Sequence, residues 1–155
     1  MSNVIDLKSK PARSSRPLRI LVADDNPDTV LTLSALLADE GHEVRSLSDG
    51  SGVLQLLQSF DPDVCVLDIE MPGKDGYILA RELSDRRSEH RPLLVAISGV
   101  WTRPSERFLA LLAGFDHFFQ KPADPNELLR VLEQFRQHQR AVAINERVHL
   151  PRSRG

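Results

Sequence analysis

The most constraining feature of this sequence is an alternation. Five short strand-like segments, four of them largely apolar or aromatic at 18–23, 63–68, 93–98 and 117–120 and one mixed at 43–47, each give way to a stretch with helical spacing. After the first run, Asp24-Asp25-Asn26-Pro27 supplies capping residues and a proline suited to a first helical turn. Val30, Leu31, Leu33, Leu36 and Leu37 then form one helical face, closed at Gly41. Further helices are expected at 52–59, from Tyr77 to about Arg87, and at 104–113, where Gly114 closes the turn. A last helix runs from Pro125 to about Arg140, with Leu128, Leu129, Val131, Leu132 and Phe135 facing inward. Strands that alternate with helices imply an α/β fold, with a mostly parallel sheet and helices on both faces. The first, third, fourth and fifth runs are nearly all apolar, as strands buried on both faces should be. Right-handed crossovers are expected.

A chain of 155 residues with 41% hydrophobic content suits one compact domain. Residues 1–17, rich in Ser, Lys, Arg and Pro, read as a disordered basic leader, and 141–155 as a flexible tail. The net charge of −2 hides an uneven distribution: 1–19 carries +4, 141–155 carries +2, and 20–140 carries −8. An acidic body opposes binding to a phosphate backbone, so no DNA partner is expected. No apolar run approaches the roughly 18 residues that span a bilayer, and no signal-peptide core is visible, so no membrane partner is expected. The single cysteine, Cys65, excludes an intrachain disulfide, reads as a core residue and fits a cytoplasmic location. None of the five histidines has a partner at metal-binding spacing.

In an open α/β sheet, ligands sit beyond the carboxyl ends of the strands. The first strand ends in Asp24 and Asp25, the third in Asp68, the fourth in Ser98 and the fifth in Lys121. Three carboxylates, a hydroxyl and an ammonium therefore converge on one sheet edge. The carboxylates repel, and a hard divalent cation such as Mg²⁺ relieves them. A carboxylate beside that ion can accept a phosphoryl group, with Lys121 and Ser98 sharing the charge of the phosphoryl oxygens. Taken singly, each piece has a plainer meaning. Asp24-Asp25 could cap the first helix, Asp68 could start a turn, Ser98-Gly99 could be a turn, and Lys121-Pro122 could be a surface charge before a helix. Their joint placement favours the chemical reading.

The chain resembles the receiver domain of two-component response regulators over residues 18–140. The carriers are Ala23-Asp24-Asp25-Asn26, Leu67-Asp68-Ile69-Glu70-Met71-Pro72-Gly73-Lys74-Asp75-Gly76, Ala96-Ile97-Ser98-Gly99 and Gln120-Lys121-Pro122. The resemblance implies a flavodoxin-like doubly wound (βα)5 fold with strand order 2-1-3-4-5. It makes Asp68 the phosphoacceptor, with Mg²⁺ held by Asp25 directly, by Asp24 mostly through water, by Asp68 and by the backbone carbonyl of Glu70. Ser98 becomes the switch hydroxyl, Lys121 the partner of the phosphoryl oxygens, and Phe118 the aromatic that swings inward on activation. Phe118 and Phe119 are not separable by sequence: one is core and the other the switch. The Lys121–Pro122 bond is expected to be cis. Glu70 and Val100 are expected to flank the path of the attacking water and to tune the lifetime of the phosphorylated state. Trp101 reads as loop packing.

The implied partners are a histidine kinase or histidine phosphotransfer protein upstream and a protein effector downstream, engaged through residues 104–138. A monomer or weak dimer is expected. The stretch from Ala113 to Pro122 is similar to receivers attached to hybrid histidine kinases, although the chain reads as free-standing. A haloacid-dehalogenase-type phosphatase is the enzymatic rival, but its nucleophile follows the first strand, whereas Asp68 follows the third. A flavin or nucleotide module would want a Gly-rich or Ser/Thr-rich loop where Asp24-Asp25 stands. An unphosphorylated, degenerate receiver would not need all five chemical residues.

Overall fold

A computed structural model describes residues 16–71, 76–85, 91–99 and 104–149 of the chain. Strands β1 (Arg19–Ala23), β2 (Glu43–Leu47), β3 (Val64–Asp68), β4 (Leu93–Ser98) and β5 (His117–Gln120) alternate with helices α1 (Pro27–Asp39), α2 (Val53–Ser59), α3 (Gly76–Asp85), α4 (Pro104–Ala113) and α5 (Pro125–His149). All strand pairings are parallel, and the order is β2-β1-β3-β4-β5. This is the doubly wound, flavodoxin-like sheet expected from the sequence.

Successive residues of a strand point to opposite faces, and that period divides the core in two. On one face Ile20, Val22, Val64, Val66, Val95 and Ile97 pack beneath α1 and α5, which contribute Leu33, Leu37, Leu128 and Leu132. On the other, Leu21, Cys65, Leu67, Leu94 and Ala96 meet α2, α3 and α4. Every residue of β3 is buried, which fixes the central strand and so the depth of Asp68 at its end. Gly114 closes α4 with φ of 108°, and a Cβ there would collide with Ser84 Oγ. That position therefore needs glycine twice over, for its backbone and for the approach of α3.

The structure revises several boundaries. A 3-10 turn at Gly50–Gly52 precedes α2, with Asp49 as its cap. β5 is only half-buried, because it is the sheet's edge, so its apolar composition overstated its burial. The largest difference concerns the end of the chain. Instead of a flexible tail from 141, α5 continues to His149. No Gly or Pro interrupts 126–150, and Ala141 and Ala143 favour helix, so the backbone continues past the last core contact. The expected leader at 1–15, the turn at 72–75, the end of α3 near Arg87, Val100 and Trp101 lie outside the described residues. Among the described residues, no helix is long and apolar enough to cross a membrane.

Candidate functional site

The carboxyl ends of β1, β3, β4 and β5 bring the expected residues together. Asp24 and Asp68 are buried, at 2% and 5% exposure, and Ser98 is buried beside them at 2%. Asp25, one residue on, is exposed. Carboxylate oxygens of Asp24, Asp25 and Asp68 all lie within 4.8 Å of one another.

Lys121 ties this cluster. Its Nζ lies 2.8 Å from Asp24 Oδ2 and 3.1 Å from Asp68 Oδ2, so one ammonium serves two buried acids. The backbone delivers it there: Lys121 N–H donates to the Ser98 carbonyl at 2.8 Å, continuing the ladder between β4 and β5. The Lys121–Pro122 bond is cis, as the resemblance implied. Asp68 is also fixed from its own strand end, where Glu70 N–H donates to its Oδ1 at 3.1 Å.

Gly76 completes this corner. A Cβ there would stand 2.7 Å from both the Asp68 carbonyl oxygen and Ile69 Cα. The first turn of α3 can therefore pack against the β3 end only without a side chain. Gly76 N–H donates to the Ile69 carbonyl at 3.0 Å, closing the loop onto the strand.

The capping alternative for the aspartate pair is resolved by its neighbour. Asn26, not Asp24 or Asp25, is the N-cap of α1, and its side chain accepts from Asp28 N and Thr29 N. Asp24 Oδ1 instead accepts from Asn26 N at 2.9 Å, which orients the buried carboxylate. Both aspartates are thus free of the helix's capping duty, and the Asn26-Pro27 pair was the sequence signal for it.

Electrostatics reflect the crowding. Burial pushes the Asp68 carboxyl up to about 6, against the pull of Lys121, and the negative charge of Asp24 adds to the rise. Burial works against the Lys121 ammonium, but its bonds to Asp24 and Asp68 outweigh that and raise it above the usual lysine range. The site is therefore short of positive charge. The donor atoms of the cluster are all carboxylate oxygen, with no sulfur or imidazole, the set that suits a hard divalent cation.

The two aromatics of β5 lie on opposite faces of the sheet. Phe119 packs on the α1/α5 side, and Phe118 on the α4 side, with its ring 6.0 Å from that of buried Phe115. His42 accepts from Leu18 N–H through Nδ1 at 3.3 Å and bridges the β1 entry to the β2 entry. A recess of about 430 Å³ opens beside Lys121, between α1 and the start of α5. Thr29, Leu33, Ile97 and Pro122 line part of it.

The family of response regulator receiver domains matches residues 20–133 of the chain. The chain belongs to this family. An uncharacterized 14.6 kDa protein of Leptolyngbya boryana is 34% identical over 116 residues, covering 75% of this receiver and 88% of that protein. The CAI-1 autoinducer sensor kinase/phosphatase CqsS of Vibrio cholerae is 38% identical over 129 residues, covering 82% of the receiver but only 18% of CqsS. The receiver spans less than half the length of several other curated relatives. Among solved structures, the receiver domain of sensor histidine kinase PA1611 from Pseudomonas aeruginosa superposes with a TM-score of 0.69 at 26% identity, covering 77% of this chain and 98% of that one. That protein was crystallised with a magnesium ion in its active-site cleft. Receivers are signalling modules of two-component systems and not metabolic enzymes.

Proposed function

We propose that this receiver takes a phosphoryl group on Asp68 from a histidine kinase or histidine phosphotransfer protein, in a Mg²⁺-dependent reaction, and signals by docking to a protein. The observation that carries this reading is the convergence of Lys121 on Asp24 and Asp68 within a carboxylate cluster that spans no more than 4.8 Å.

Asp24, Asp25 and Asp68, with the Glu70 backbone carbonyl, would hold the ion. A magnesium ion supplies charge neutralisation for the equatorial phosphoryl oxygens. The remaining work falls to the chain. An Asp68 carboxylate oxygen forms the O–P bond as the P–N bond of a phosphohistidine breaks, and the electron pair returns to the imidazole nitrogen. Lys121 already touches the acceptor carboxylate, so a small displacement lets its ammonium follow the charge onto the phosphoryl oxygens. The recess beside Lys121 supports approach of a donor over α1.

Ser98, buried at the end of β4, would donate its hydroxyl to the phosphoryl group, and Phe118 would move with it. Phe118 already packs with Phe115, just before β5, which links the site to the α4 side of the sheet. Phosphorylation then biases a two-state equilibrium whose readout is the surface over 104–138, where a protein effector docks.

The test is intact mass measurement after incubation with phosphoramidate, with and without Mg²⁺. One phosphoryl adduct is expected on the wild type with Mg²⁺, and none on Asp68→Asn or in EDTA. An equal yield on Asp68→Asn would overturn the assignment.

A further inference from the structure

Away from the carboxylate cluster, a recess of about 470 Å³ lies between the entry to β3 and the part of α5 that runs past the core. Its helical wall carries His138, Val142 and Glu146, spaced four residues apart and so on one face of α5. Its other wall carries Asp61 and Asp63, and Arg16 lines it too. Asp63 fixes the incoming chain through both carboxylate oxygens: Arg16 Nη2 donates to Oδ1 at 2.9 Å, and Arg19 N–H donates to Oδ2 at 2.8 Å. From Gln137 onward every described side chain of α5 is exposed, so no other described segment covers the helical wall.

We propose that residues 1–15 of this same chain occupy the recess, with Lys10 and Arg13 paired to Asp61 and Glu146. Three arguments select this occupant. The first is attachment. The described residues begin at Arg16, which already lines the recess on its ion pair with Asp63, so the preceding segment departs from within the site it would fill. A tethered segment meets its site at an effective concentration on the order of millimolar, and contacts too weak to hold a separate peptide then suffice. The second is charge. With His138 neutral, Asp61, Asp63 and Glu146 against Arg16 leave the recess at −2, while Lys8, Lys10 and Arg13 against Asp6 give residues 1–15 a charge of +2. The third is reach. His138 to Glu146 spans about 12 Å of helix, and the six steps from Arg16 back to Lys10 span about 20 Å when extended, enough to cross the whole recess.

Occupied, the recess ties the far end of α5 to the amino ends of β1 and β3, at the edge of the sheet opposite Asp68. The inference is therefore independent of phosphorylation.

A nitroxide attached to the full chain at Ser9→Cys tests it, because Cys65 is buried and out of the label's reach. Paramagnetic broadening of backbone amides is read by NMR at low salt. Amides of 61–63 and 138–146 should broaden selectively. The effect should fall at least threefold in 1 M NaCl, which screens exposed charges, and at least threefold in Asp61→Lys/Glu146→Lys. Both acids are exposed, so circular dichroism should not change. Adding Lys10→Glu/Arg13→Glu to that variant should restore at least half of the broadening. Spin-labelled chain mixed with isotope-labelled, spin-free chain should give none. Broadening that is absent or spread evenly over the surface would overturn the proposal. So would indifference to the charge reversal, a failure of the swap to restore the effect, or broadening in the mixture, which would seat the segment on a second copy.

Discussion

Asp68→Asn should stabilise the metal-free protein at pH 8, although it removes the proposed phosphoacceptor. The reasoning starts from the raised carboxyl. Asp68 rises from an ordinary 3.8 to about 6 in the fold, chiefly through burial. A carboxyl whose pKa is raised by folding favours the folded state most below the unfolded value, and that contribution is lost as pH rises through the folded value. Relative to the protonated form, ionised Asp68 therefore costs about 3 kcal/mol at pH 8 and about 0.5 kcal/mol at pH 4. Asparagine has nearly the same shape and carries no charge. It does not recover the whole amount, because its amide cannot accept from both Lys121 Nζ and Glu70 N–H as the carboxylate does. One hydrogen bond of that kind is worth about 1–2 kcal/mol. The expected net gain at pH 8 is about 1–2 kcal/mol, or roughly 3–6 °C in Tm. It should vanish by pH 4. Thermal and urea unfolding of both proteins in EDTA, across that range, measures it. A variant less stable than wild type at pH 8, or a gain that persists at pH 4, would refute the account of Asp68 as a buried, strained carboxylate.

Two further outcomes follow from the same corner of the molecule. Mg²⁺ should raise wild-type stability by about 1.4 kcal/mol at ten times its Kd, read as a melting shift, and the shift should shrink in Asp25→Ala, whose exposed carboxylate bears no ion pair with Lys121. A shift undiminished by that change would remove Asp25 from the ligand set. Gly76→Ala should destabilise by about 2–4 kcal/mol, because the new methyl group meets backbone atoms at 2.7 Å that cannot move without displacing the end of β3. Chemical denaturation reads that loss, and a near-neutral result would mean that α3 can retreat.

The placement of the candidate site residues was legible in the sequence because each stands at or just beyond the end of a strand. Five parallel strands leave their carboxyl ends on one edge, so strand position alone brought Asp24, Asp68, Ser98 and Lys121 together before any distance was known. Local signals also placed the helix start at Asn26-Pro27 and the stop at Gly114, since capping and positive-φ preferences act over a few residues. Other features needed the tertiary structure. Asp24 and Asp25 are adjacent carboxylates in sequence, yet one is buried on Lys121 and the other is exposed. Phe118 and Phe119 look alike, and only the pleat of β5 assigns them to opposite faces. The apolar side chains of α4 have the composition of a core helix, but which of them are covered depends on the neighbours that reach them: Ala110 is buried, while Phe108, Leu109, Leu111 and Leu112 stay exposed. The length of α5 escaped the sequence reading for a related reason. Its inward apolar face ends near Phe135, while its backbone propensity runs on to His149, and where burial no longer decides, propensity sets the end.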